Sequence, residues 1–164
     1  MNTTLKRAQA ALEFLTTYGW AFLVILIMIG TLAYFGILSP SKVLPNRCTF
    51  GAEFQCEDYQ ITASADTFKL RLKNGAGEAV SISAIALGSE SSTQYSCTLI
   101  SPTLPYTFNS SGVSDFSFGT CNSALAGFVP GDKGKVLVTM TYNTASSGVG
   151  YARQIKGEVY AGII

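Results

Sequence analysis

The chain has 164 residues, with 11 Lys and Arg against 10 Asp and Glu and no histidine. Without histidine, Ser-His-Asp and Cys-His catalysis and histidine metal ligation are excluded, and the balanced charge offers no basic excess for nucleic acid. Hydrophobic residues make up 48% of the chain, much of it concentrated near the N-terminus.

A short leader, residues 1–8, reads MNTTLKRA and ends in Lys6, Arg7 and Ala8. Residues 9–38 follow as QAALEFLTTYGWAFLVILIMIGTLAYFGIL, uncharged from Phe14 onward. Large apolar side chains fall on every side of a helical wheel, so this predicted helix has no face for water. Burying one Leu, Ile or Phe side chain is worth roughly 1.5–3 kcal/mol, which puts the segment in lipid or in a sheath of partners. At 1.5 Å per residue, residues 14–38 span about 37 Å, more than the roughly 30 Å hydrocarbon core of a bilayer. Lys6 and Arg7 place the N-terminus in the cytoplasm by the positive-inside rule, and the rest of the chain outside. Glu13 stands at the mouth of the apolar run, where an ionisable group points to a function. Thr17, one turn later, is placed to bond the Glu13 carbonyl. Gly19, Gly30, Ala33 and Gly36 are small positions that allow close approach of neighbouring helices.

Residues 39–47 read as a helix stop and linker, with Pro40 and Pro45 disfavouring helix. Residues 48–164 form one expected domain. It holds all four cysteines, Cys48, Cys56, Cys97 and Cys121. An even count outside the membrane predicts disulfides, with three connectivities open. The local loops Cys48 to Cys56 and Cys97 to Cys121 are the expected pair, and without histidine or a C-x-x-C pair a metal site is not expected.

From Tyr59 the pattern is that of strands. Phe68, Leu70 and Leu72 alternate with Lys69, Arg71 and Lys73. Asn74-Gly75-Ala76-Gly77 is a turn signal, and Val80, Ile82 and Ala84 resume the alternation, which predicts two neighbouring strands over residues 66–88. Further strands are expected at 94–100 and 113–118, with a turn at Gly131-Asp132-Lys133-Gly134. Residues 135–142, KVLVTMTY, give the clearest strand, and 151–161 close the chain. The fold class expected is α+β: a long N-terminal hydrophobic helix followed by an antiparallel β-sandwich.

Chemistry is sparse. Glu57 and Asp58 are adjacent, and neighbours on a strand point to opposite faces, so they make no acid/base pair. No phosphate-binding glycine loop is present, no cofactor is expected, and an enzyme is not expected. Asn109-Ser110-Ser111 fits N-x-[ST] in a predicted loop and is a candidate glycosylation site.

Lys6-Arg7-Ala8, then Gln9, then Glu13 four residues later, then the long apolar helix, resembles the class III signal peptide of archaeal type IV pilins. One departure is Ala11, where many members carry Ser. The resemblance implies cleavage between Ala8 and Gln9 by a prepilin peptidase, with the helix kept on the mature subunit. It further implies an immunoglobulin-like form of the sandwich and membrane storage before assembly. An assembly ATPase and its membrane platform would then build a helical homo-oligomeric filament, used for adhesion. Glu13 and the new ammonium at Gln9 are expected to pair in the bundle, where lone charges are costly. A monomeric signal-anchored binding protein and an archaellin-like motility subunit are the alternatives.

Overall fold

The computed structural model describes residues 3–36, 44–89, 95–148 and 150–164, with side chains from residue 12 onward. The chain divides into two compact units, Met1–Leu44 and Pro45–Ile164.

The first unit is helix α1, Thr3–Tyr34. Its end is set by glycine: the Phe35 N–H donates to the Thr31 carbonyl, the Gly36 N–H donates to the Ala33 carbonyl, and Gly36 has φ 69°. A left-handed residue stops a right-handed helix, and glycine adopts that conformation without a Cβ penalty. The regular helix therefore ends ahead of Leu38, and Gly36 serves as its cap. The expected stop at Ser39-Pro40-Ser41 lies outside the described residues.

Among its described residues the second unit holds nine strands: β1 (Arg47–Thr49), β2 (Phe54–Thr62), β3 (Thr67–Asn74), β4 (Val80–Ser89), β5 (Thr98–Ser101), β6 (Tyr106–Phe108), β7 (Val113–Gly119), β8 (Lys133–Thr144) and β9 (Arg153–Gly162). They form two antiparallel sheets, of order β1-β9-β8-β4-β6 and β2-β3-β7-β5. With α1 this makes the chain α+β.

Period-two alternation builds the core. Phe68, Leu70 and Leu72 of β3 are buried, as are Val136, Val138, Met140 and Tyr142 of β8. The two sheets share that core: Phe54 of β2 meets Tyr142 of β8 edge-on at 5.2 Å between ring centroids, and stacks on Phe108 of β6 at 6.1 Å. Each such ring contributes about 1.5–3 kcal/mol by leaving water.

Three expectations are corrected. The strands flanking Asn74-Gly75-Ala76-Gly77 are not neighbours, because β3 belongs to the four-stranded sheet and β4 to the five-stranded one. The turn carries the chain from one sheet to the other. Asn74 holds that crossing: fully buried, its Nδ2 donates to the carbonyls of Glu78 (2.9 Å), Phe108 (2.9 Å) and Asn109 (3.1 Å), while its Oδ1 accepts from the Ala76 N–H. Second, Glu57 and Asp58 do not point to opposite faces. The register against β3 shifts between Cys56 and Asp58, so Glu57 is the extra residue of a β-bulge and both carboxylates are exposed. Third, the expected turn ending at Gly134 is already strand, since β8 begins at Lys133. Gly134 is required by packing, because a Cβ there would press on the Phe128 ring. The strand β6 was not expected at all.

Candidate assembly helix and surface sites

The stretch Leu12–Tyr34 of α1 is long and apolar enough to cross a membrane, and none of it is buried. Twenty-three residues rise about 35 Å, enough to span the hydrocarbon core with some tilt. Rings and branched chains stand exposed on all sides, among them Trp20, Phe22, Leu26 and Ile29. The threonine hydroxyls in this stretch are bonded within the helix. Thr16 Oγ1 donates to the Leu12 and Glu13 carbonyls, both at 3.0 Å; Thr17 Oγ1 donates to the Glu13 carbonyl at 2.9 Å; Thr31 Oγ1 donates to the Met28 carbonyl at 2.8 Å. An apolar environment therefore meets no bare hydroxyl at these positions. Phe14 and Tyr18, one turn apart, pack at 4.3 Å between centroids.

Among the expected assembly positions, Glu13, Thr17 and Ala33 are exposed. A Cβ at Gly19 or Gly30 would meet nothing within 4 Å, so both present open backbone to a neighbour. Lys6, Arg7, Ala8 and Gln9 lie within the helical span of α1. Their side chains, and so the expected Gln9 to Glu13 pair, lie outside what is described.

In the second unit Cys48 is bonded to Cys56 and Cys97 to Cys121. The first bond joins β1 to β2, and so one sheet to the other. The second ties the residue before β5 to the segment after β7 within the four-stranded sheet. Asn109 sits exposed in the turn after β6, where its carbonyl accepts from Gly112 N–H and Ser111 has φ 59°. Among the described residues, no group of three or more Cys, Asp and Glu is placed to hold a metal ion.

Two charged arrangements arise only from strand register. On the outer face of the five-stranded sheet, β9 carries Glu158 next to Thr49 of β1 and Leu137 of β8. One step along, Tyr160 pairs with Arg47 and Lys135, and one step the other way Lys156 pairs with Thr139. Glu158 receives Arg47 at 3.7 Å and Lys135 at 3.3 Å, and the Lys133 ammonium lies 6.0 Å from the centroid of the Tyr160 ring. Two cations thus meet the Glu158 carboxylate, with Lys133 and Lys156 further along the same face.

On the outer face of the four-stranded sheet, Lys69, Arg71 and Lys73 of β3 run beside the carboxylates of Glu57, Asp58 and Asp115. Register aligns Asp58, Arg71 and Asp115 in one row. Arg71 Nε donates to Asp115 Oδ1 at 2.6 Å and Nη2 donates to Oδ2 at 2.9 Å, a bidentate pair. That hydrogen bond holds the Asp115 carboxyl below its ordinary pKa and lifts Arg71, with Asp58 and Glu57 adding to the latter. A shallow depression of about 270 Å³ opens here, lined by Asp58, Gln60, Lys69, Arg71, Asp115 and Ser117 among others.

No family model matches this chain, and a search of curated proteins returns no match. The reading of function therefore rests on the motif, the helix and these surfaces.

Proposed function

We propose that this chain is a structural subunit of a type IV pilus-like surface filament. Its helix lies in the membrane before assembly and in the filament core afterwards, and its outer unit is an immunoglobulin-like β-sandwich displayed outside the cell. The observation that carries this reading is the stretch Leu12–Tyr34: apolar, unburied and uncharged beyond Glu13. A helix of this kind is stable only in lipid or among helices like itself. The leader supplies the switch between these two states. Lys6 and Arg7 tether the N-terminus at the cytoplasmic surface, and cutting before Gln9 removes both charges and creates an ammonium for Glu13. The internally bonded threonines and the open backbone at Gly19 and Gly30 suit close helix packing. Two disulfides suit an oxidising exterior.

Intact mass and N-terminal sequencing of the protein recovered from cells test this. A mature chain that starts at Gln9 is expected. A chain that retains Lys6 and Arg7 would instead describe a signal-anchored surface protein, and the role given to Glu13 would fall with it.

A further inference from the structure

Asn74 is followed by Gly75, the one Asn-Gly pair in the sequence. Such a pair carries its own chemistry. The main-chain nitrogen of the second residue attacks the side-chain Cγ of the first and a C–N bond forms. The Cγ–Nδ2 bond breaks, ammonia leaves with the proton that the nitrogen gave up, and a five-membered succinimide remains. Water then opens the ring at one of its two carbonyls and yields aspartate or isoaspartate. Glycine speeds ring closure because it has no Cβ to crowd the attacking nitrogen.

In the folded unit the groups this reaction needs are held elsewhere. The attacking group, the Gly75 N–H, donates to the Glu53 carbonyl at 2.8 Å. The leaving group, Asn74 Nδ2, donates to the carbonyls of Glu78, Phe108 and Asn109. The Asn74 N–H donates to the Gly112 carbonyl at 2.9 Å and its own carbonyl accepts from the Ser111 N–H at 3.0 Å, which fixes Asn74 in the extended conformation of β3. Ring closure requires ψ to leave that region. Asn74 is also fully buried, away from base and water. The Ala76 N–H on Oδ1 polarises the carbonyl in the direction attack requires, but it does not free the nitrogen.

The fold does not demand glycine at position 75. Gly75 is not left-handed, whereas Gly77, two residues on, has φ 81°. A Cβ on Gly75 would meet main-chain atoms at 3.5 Å and beyond, an ordinary contact. The residue present is the one that makes Asn74 most reactive.

We propose that Asn74-Gly75 is a self-modification site held off by the fold: when the crossing between the sheets opens, Gly75 closes on Asn74, and the aspartate or isoaspartate produced prevents the unit from closing again. A carboxylate lacks the two hydrogens that serve three carbonyls, and isoaspartate adds a methylene to the main chain between β3 and the turn. Because the ammonia is lost, the change runs one way and removes an opened unit from the folded pool. This chemistry is independent of the filament reading.

The test uses the full-length protein in detergent, incubated at mildly alkaline pH in native buffer and in guanidinium chloride. Timed samples are digested, and the peptides bearing residues 74 and 122 are followed by the mass gain of deamidation. Asn122-Ser123 serves as the reference, since Asn122 is exposed in the folded unit. In guanidinium Asn74 is expected to convert about tenfold faster than Asn122, for want of a Cβ on Gly75. In native buffer the order reverses, and Asn74 slows by about a thousandfold or more, in line with the small fraction of a folded domain that is open at any moment. Conversion of Asn74 in native buffer within about tenfold of its rate in guanidinium, where no fold protects it, overturns the proposal. So does an Asn74 no faster than Asn122 in guanidinium.

Refolding tests the second half. After partial conversion the guanidinium is diluted, and refolded chains are separated from aggregates by size exclusion. Intact Asn74 is expected in the refolded fraction and the converted residue in the aggregates; an equal distribution overturns the block on closing. Gly75→Ala, whose Cβ crowds the nitrogen, should convert about tenfold more slowly and keep its refolding yield through an incubation that exhausts the wild type's. A loss of yield as fast as the wild type's overturns the link between conversion and failure to refold. Should Gly75→Ala fold poorly, the wild-type rates and the sorting of Asn74 between the two fractions decide.

Discussion

Replacing Asn74 with aspartate exchanges an amide for a carboxyl of the same shape and removes two hydrogens that serve three carbonyls. Asn74 is fully buried, and those carbonyls belong to Glu78, Phe108 and Asn109, so the side chain ties the end of β3 to the crossing turn and to β6 of the other sheet. A buried acceptor left without its donor costs about 1–3 kcal/mol, so two lost donors cost about 2–6 kcal/mol, and about 4 kcal/mol is a working figure at neutral pH. Against a typical total of about 5–15 kcal/mol this is a large loss. The sign of its pH dependence follows from desolvation. A carboxyl in this place has its folded pKa raised, so the folded state holds a proton that the unfolded chain releases above about pH 4. The deficit is then smallest below about pH 4, where a protonated carboxyl supplies one donor, and grows as pH rises toward the raised value. Urea unfolding of the Pro45–Ile164 unit, followed by far-UV circular dichroism in acid and at neutral pH, should show the Asn74→Asp midpoint lowered by about 2 M at neutral pH and by less in acid. A shift below about 0.5 M at both pH values would refute the account of Asn74 as the tie between the sheets.

Two further outcomes are expected. The Cys97–Cys121 bond spans 24 residues and Cys48–Cys56 spans 8; the chain-entropy relation gives about 3.5 and about 2.5 kcal/mol, so serine replacement of the longer pair should cost about 1 kcal/mol more in the same unfolding assay. Equal or reversed costs would count against a loop-entropy origin. Burial pushes the Tyr95 phenol up to about 12, and its ring packs on Phe128 at 5.0 Å. With the folded pKa raised, the stability tied to Tyr95 is complete below about pH 10, where phenols titrate in the unfolded chain, and is lost as pH climbs from there toward about 12. Tyr95→Phe should flatten that decline, and an unchanged slope would remove Tyr95 as its source.

Local signals were legible wherever one segment carried the whole pattern. The apolar run of α1 needs no partner to be recognised. Phe68, Leu70 and Leu72, like Val136 to Tyr142, declare their buried face by alternation alone. The cysteine pairs were readable because each closes a short loop. What depends on a second strand was not readable. Alternation says which face is buried but not which strand lies alongside, so the crossing at Asn74 looked like a hairpin. The bulge at Glu57 exists only relative to β3, and its expected opposite-face geometry failed for that reason. With three residues close behind Pro102 and Pro105, β6 is too short to show a period. The charged faces were hidden most completely, since Arg47, Lys135 and Glu158 are far apart in the sequence and meet only through the register of β1, β9 and β8.

The bond between Cys48 and Cys56 has a mechanical consequence. Any pull transmitted along the chain from its N-terminal side reaches the second unit first at β1, an edge strand of three residues held to β9 by a short ladder. Such a strand, tugged from one end, peels away hydrogen bond by hydrogen bond at low force. A covalent link one residue into β1 carries the load across to β2 and its eight-pair ladder with β3, so β1 cannot be stripped from β9 alone. Tension is thereby shared by both sheets, and the weakest strand of the unit is not the one that decides when it gives way.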